Sequence, residues 1–313
     1  MANYKKIAEL RPDIADFFGN RRLIAFRGDV LSYFANVKAD TFSTDAAGFR
    51  HSTFDGREYS VADCVRSGRY GIVLGASNLF GFGVAGNENT VPSLLAERLG
   101  FPFANATMPG GNTRNLQALL VGLVAGASKL PAVVALSSGG ELVNFCESSI
   151  ADPIFGSPNR SQLKSLKEQG VKPDPEKNFP RMLAFHTLWT SALATLCRAY
   201  GSKLVLIHQS TFFEKAHPTQ LELDSEIGIP FNPSQEMQFA NHRKFNQPFY
   251  AKRKAVADKL GVPLAGWGLT EEITFMDEFH GDREGTRVIA QAVGDAIEPL
   301  LANNKAPEPA PAA

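Results

Sequence analysis

The rhythm of hydrophobic and polar positions changes near residue 70. Downstream, short runs rich in Val, Ile and Leu alternate with longer amphipathic stretches. Residues 72–74, 101–107, 131–136, 203–208 and 262–265 have the length and composition of buried strands. Residues 90–99, 115–127, 181–200, 235–260 and 283–301 have helix length and periodicity. Boundary residues agree: Thr90 stands at a capping position, Pro92 suits a first turn, and Gly100 and Gly201 stop the helices before them. Pro248 predicts a break in the helix that contains it. Strands alternating with helices predict a three-layer α/β/α fold around a five-stranded, mostly parallel sheet covered on both faces.

Upstream of residue 70 the pattern is weaker. Residues 1–20 read as an amphipathic helix, 31–37 as a β-like run and 45–48 as a polar turn. Residues 1–68 are therefore expected to form an N-terminal α+β appendage, too short to bury much core alone. Residues 69–303 form the main domain, and the Pro/Ala-rich stretch 304–313 a disordered tail. Two long connections, 142–180 and 209–234, have the length of lids or binding loops. Phe212, Phe213, Phe231, Phe239, Phe245, Phe249 and Tyr250 crowd into and just beyond the second; they either pack it on the core or line a groove.

Composition narrows the function classes. The 313 residues hold 32 Lys+Arg and 32 Asp+Glu, so no basic excess exists to drive nucleic-acid binding. The 3 Cys (Cys64, Cys146 and Cys197) are widely spaced, which suits buried small hydrophobes and neither a disulfide framework nor a zinc site. No cofactor or metal is expected. No run reaches the roughly 18 apolar residues of a membrane span, and the first residues lack a signal-peptide core. The expected location is the cytoplasm. Oligomeric state is not readable.

In an open parallel sheet, ligands bind beyond the carboxyl ends of the strands. There this sequence places Gly75-Ala76-Ser77-Asn78, then Pro109-Gly110-Gly111-Asn112, then Ser137-Ser138-Gly139-Gly140-Glu141. Asp277-Glu278-Phe279-His280 precedes the last helix. A serine hydroxyl needs a base, and the base an orienting partner. Ser77 as nucleophile, His280 as base and Asp277 as orienter satisfy that need. Backbone N–H groups of Ser77 and Gly110 are candidate oxyanion donors if the loops converge. His208, at the end of the fourth strand, reads more readily as a core or loop histidine than as a catalyst. His51, His186, His217 and His242 carry no partner pattern and are read as structural. Gly81-Phe82-Gly83-Val84-Ala85-Gly86 matches a dinucleotide fingerprint but begins too far from its strand to work as one.

These blocks, in this order, resemble those of the SGNH (GDSL-like) hydrolases over most of residues 70–300. IVLGASNLFGFGV is similar to the block with the nucleophile, NATMPGGNT to the block whose glycine donates to the oxyanion, and MDEFHGDREG to the Asp-x-x-His block. Residues 44–50, TDAAGFR, look like a lead-in of members linked to bacterial polysaccharide modification. Two departures stand out. Ala76 replaces the usual Asp before the serine. The third block presents Gly140 or Glu141, depending on alignment, where the family has an oxyanion-binding Asn; Asn144 or Asn112 are possible substitutes, and Gly140 offers its backbone N–H. Glu141 reads as a solvated or salt-bridged carboxylate, or as a neutral donor if buried beside the serine. The resemblance implies hydrolysis of an O-acyl ester, such as an acetyl ester on a carbohydrate or small molecule. Two alternatives stay open: an O-acyltransferase with a donor such as acyl-CoA, and a non-catalytic binding module of the same fold.

Overall fold

The computed structural model describes residues 6, 9–11, 17, 24–27, 30–125, 127, 129–151, 163–164, 166 and 168–302. Two antiparallel hairpins come first: β1 (Ile24–Arg27) with β2 (Val30–Tyr33), and β3 (Ser52–Phe54) with β4 (Arg57–Tyr59). Helix α1 (Val61–Arg66) follows, opened by a capping box in which Ser60 and Asp63 each bond the other's backbone N–H. Then the expected alternation begins: β5 (Gly71–Gly75), α2 (Ser77–Phe80), α3 (Val91–Leu99), β6 (Phe103–Thr107), α4 (Thr113–Ala125), β7 (Val133–Leu136) and α5 (Gly140–Ser148). It continues with α6 (Pro175–Ala199), β8 (Lys203–Ile207), α7 (Gln220–Asp224), α8 (Pro233–Leu260), β9 (Leu264–Ala265) and α9 (Arg283–Ala302).

The last five strands form one parallel sheet in the order β6-β5-β7-β8-β9. Strand side chains alternate between faces. Val73, Val133, Ala135, Val205 and Ile207 pack on one side with Leu95 of α3 and Ile289, Val293 and Ile297 of α9. Ile72, Leu74, Val134, Leu136 and Leu206 pack on the other with Leu116 and Leu120 of α4 and Leu193 and Cys197 of α6. Three layers with a buried sheet are thus the architecture expected. Chain direction across the sheet reverses at β5, whose neighbours β6 and β7 lie on opposite sides. A crevice opens at such a switch point, here between the ends of β5 and β7.

Several boundaries differ from expectation. Helix α8 runs unbroken through Pro248. The proline removes one backbone donor, but Phe245, Phe249, Tyr250 and Arg253 around it are all buried and hold the helix. Helix α6 begins at Pro175, six residues early, with the Asp174 carboxylate accepting from Lys177 N–H and Pro180 inside the helix. Helix α4 starts and ends two residues early. The connection 142–180 is interrupted by most of α5 and the start of α6, and 209–234 by α7. Phe239, Phe245, Phe249 and Tyr250 are core residues, while Phe231 is exposed. All three cysteines are buried, and burial pushes the Cys64 and Cys197 thiols up to about 12. The helix expected over 1–20 lies mostly outside the described residues, although Lys6, Glu9, Leu10 and Phe17 are helical; the tail 304–313 lies outside them entirely. Among the described residues, no helix is long and apolar enough to cross a membrane.

Arg50, from the TDAAGFR run, is fully buried. Its guanidinium donates to the carbonyls of Gly81 (2.7 Å), Val84 (2.8 Å) and Gly86 (3.0 Å) and to Asn87 Oδ1 (2.9 Å). The loop after α2 is thereby wrapped around one side chain. Asp45 organises the turn before it, accepting from the N–H groups of Ala47 and Phe49. Arg50→Met would strand several buried carbonyls, each costing about 1–3 kcal/mol. The substitution should lower unfolding free energy by roughly 3–5 kcal/mol, measured by urea denaturation. Arg50→Lys should recover only a minor part, because one ammonium cannot span the same acceptors.

Candidate active site

Strand β5 is buried along its whole length and ends at Gly75, where the chain turns sharply into α2. The turn is tight: a Cβ on Gly75 would lie 2.8 Å from the Leu79 side chain. Ala76 is extended and Ser77 is the first helical residue, so the hydroxyl projects at the sheet edge, half-buried. Across the crevice, residues 275–281 form a loop closed by a Phe275–Gly281 bridge and by Met276 N–H donating to His280 O (2.8 Å). That closure presents Asp277 and His280 together.

Ser77 and His280 are 203 positions apart, yet Ser77 Oγ lies 2.7 Å from His280 Nε2. His280 Nδ1 lies 2.8 Å and 2.7 Å from the two oxygens of Asp277. Asp277 is 1% exposed, and its Oδ1 also accepts from the N–H groups of Phe279 (2.8 Å) and His280 (2.9 Å). Burial, the largest single influence on Asp277, raises its pKa. The facing imidazole and the N–H donors together outweigh burial and hold the carboxyl below its usual range. An ionised carboxylate only accepts, so the proton of neutral His280 sits on Nδ1. Nε2 is left as the acceptor for the Ser77 hydroxyl. The Phe82 ring lies 4.6 Å from the imidazole and walls it from one side.

The other two loops meet the first. Met108 N–H donates to Gly75 O (2.8 Å), which seats the 108–112 loop beside the serine turn. Gly110 has φ +68°, the left-handed region that favours glycine. Gly140 opens α5, and a Cβ on it would lie 2.3 Å from Gly111 O and 3.7 Å from the Ala76 Cβ. No side chain fits there, so the start of α5 presses directly on both other loops. First-turn N–H groups such as those of Ser77 and Gly140 have no intrahelical acceptor.

The auxiliary residues take definite places. Asn112 is buried and caps α4, its Oδ1 accepting from Asn115 N–H (3.0 Å). Asn144 Nδ2 donates to Gly110 O (3.2 Å). Glu141 is 1% exposed; its Oε2 accepts from Thr113 Oγ1 (2.9 Å) and lies 2.5 Å from His186 Nδ1. Glu141 is therefore buried and hydrogen-bonded, and His186, taken as partnerless, has a carboxylate partner. No local signal announces that pair, because its members lie 45 positions apart on different helices. His208 is buried, with Nε2 3.1 Å from Glu214 Oε1, and lines a cavity of about 40 Å³ together with Asn78 and Ser210. His51 Nδ1 meets Ser43 Oγ at 2.9 Å. His242 is fully buried against Phe213, and burial pushes its pKa down to about 3, so it packs as a neutral ring.

Fold and site together define a three-layer α/β/α protein with an assembled Ser–His–Asp hydrogen-bond chain at the sheet's switch point. No family profile and no curated protein matches the chain. Solved structures similar to it include a carbohydrate acetylesterase family member from Sinorhizobium meliloti, at 14% identity over 75% of this chain and 99% of that one, with TM-score 0.47. A phospholipase A1 from Streptomyces albidoflavus NA297 is similar at 14% identity, 73% and 99% coverage and TM-score 0.46. A GDSL-like lipase from Bacteroides thetaiotaomicron VPI-5482 is similar at 14% identity, 75% and 90% coverage and TM-score 0.45.

Glu278, beside Asp277, titrates in the opposite direction. Burial first, and then the Asp277 charge, raises its carboxyl pKa. A carboxyl raised in the folded state stabilises the fold while protonated, below the usual carboxylate pKa. That contribution disappears as pH climbs through the folded value. Glu278→Gln stays neutral throughout. Its stability relative to the parent should therefore increase from about pH 4 to about pH 7. Urea midpoints at each pH check this, and parallel curves would show that Glu278 titrates normally.

Proposed function

We propose that the chain is a serine-dependent hydrolase of O-acyl esters, working through an acyl-enzyme at Ser77. The observation that carries this reading is the continuous chain from Ser77 Oγ through His280 to the buried Asp277 carboxylate. His280 Nε2 takes the Ser77 proton as Oγ bonds to the acyl carbon, and the carbonyl electron pair moves onto oxygen. Backbone N–H groups of Ser77, Gly110 and Gly140 surround that oxyanion. Collapse breaks the bond to the alcohol, which leaves with the proton from His280. Water then adds to the acyl carbon, gives a proton to His280, and the acid departs as Ser77 recovers its hydrogen. Asp277 stabilises the transient imidazolium without taking a proton.

The finer reading is an acetyl group on a carbohydrate. The likeness of residues 44–50 to a polysaccharide-linked lead-in supports it. Arg50 in that run holds the loop after α2 and Asp45 holds its own turn, so their part in it is structural. Hydrolysis and transfer to a sugar hydroxyl share every step up to the acyl-enzyme. Adding a glycan acceptor and measuring acetate against acetylated sugar separates them.

Ser77→Ala should reduce p-nitrophenol release from its acetate ester to the buffer rate, and undiminished turnover would eliminate the mechanism. Asp277→Asn should lower kcat by about 10⁴ through loss of the correct imidazole tautomer. Gly140→Ala places a methyl against the Gly111 carbonyl and forces the loops apart. It should lower kcat/KM by about a hundredfold, the scale of one lost oxyanion donor, as read from the same assay.

A further inference from the structure

The third block lacks the amide side chain that the resemblance led one to expect, and Glu141 and Asn144 occupy the first two turns of α5 instead. They stand three positions apart and point to the same neighbour. Asn144 Nδ2 donates to Gly110 O. Glu141 Oε2 accepts from Thr113 Oγ1, on the residue that starts α4 just after the 108–112 loop. The loop carrying Gly110 is thus gripped at its crest by one side chain and at its exit by another. The Glu141 carboxylate is itself held from behind. His186 Nδ1 faces it from α6, and the charge of Arg253, fully buried on α8, lies near enough to interact with it. Arg253 also bonds Leu136 O at the end of β7, just before the third loop.

This grip matters because of Gly110's backbone. Glycine adopts left- and right-handed conformations with similar ease, so an untethered Gly110 would not hold one orientation of its N–H. A bond to its carbonyl and an anchored exit select one.

We propose that Glu141 and Asn144 are positioning residues. They clamp the Gly110 loop onto the start of α5, so that backbone N–H groups alone bind the oxyanion and no side-chain amide is required. This rests on the acyl-ester reading above.

Two variants of nearly constant side-chain size test the clamp in the full chain. Thr113→Val removes the hydroxyl that Glu141 holds, and Asn144→Leu removes the donor to Gly110. Each should lower kcat for p-nitrophenyl acetate by about tenfold or more, a fraction of what one lost oxyanion donor costs, with KM within about twofold. Inhibition by phenylboronic acid, whose tetrahedral adduct with Ser77 carries the oxyanion, should weaken by a similar factor. Thr113→Ser, which keeps the hydroxyl, should retain the parental rate. Parental kcat and boronate affinity in Thr113→Val would overturn the clamp, and a loss confined to Asn144→Leu would do the same by making Asn144 a direct donor. The underlying reading fails separately: hydrolysis by the parent that survives Ser77→Ala would remove the serine mechanism, whatever Thr113 does.

Discussion

An imidazole in water rotates freely and shares its proton between two nitrogens. Asp277 removes both freedoms. Its carboxylate is almost without solvent and accepts hydrogens from two backbone N–H groups as well as from the ring. Those donors keep it ionised against the desolvation that would otherwise protonate it. Ionised, it fixes the tautomer and the ring plane together, and Nε2 has one direction left to face. The half-buried Ser77 is placed in that direction by a separate element, the turn between β5 and α2. The Ser77–His280–Asp277 chain is therefore the meeting of two independently built pieces.

Their meeting depends on backbone approach more than on side-chain contact. Gly75, Gly110 and Gly140 lie where the chain bends sharply, turns left-handed or touches another backbone. A row of glycines alone would be slack, because glycine has the most conformational freedom to lose. The structure removes that slack with buried polar side chains reaching in from outside the loops. Arg50 wraps the segment after α2, Asp277 closes its own loop, and Asn144 and Glu141 hold the 108–112 loop. Each satisfies backbone or hydroxyl groups that burial would otherwise leave unpaired.

The sequence reveals the groups that would do chemistry more readily than the groups that hold them. The parallel sheet was legible because its strands are uniformly apolar runs separated by amphipathic helices of the right length. Ser77, Asp277 and His280 were legible because each sits in a short local pattern at a strand end or helix start. A proline misled at Pro248, where tertiary burial of neighbouring aromatics outweighs the loss of a single backbone bond. The Glu141–His186 pair and the enclosure of Arg50 were not legible. Their partners lie tens of positions away, and nothing local distinguishes a buried paired carboxylate or guanidinium from a solvated one.

Three acidic groups near the crevice show how position sets chemistry among like side chains. Asp277 stays charged because donors converge on it. Glu141 has an imidazole and a hydroxyl as partners and serves as an anchor. Glu278 is buried beside a charge of its own sign and is driven toward the neutral form. Geometry makes Asp277 the carboxylate that the imidazole faces, since both of its oxygens lie against His280 Nδ1. The D-E-F-H sequence thus holds two adjacent buried carboxyls whose pKa values move in opposite directions, because the imidazole and N–H donors converge on one and burial prevails at the other.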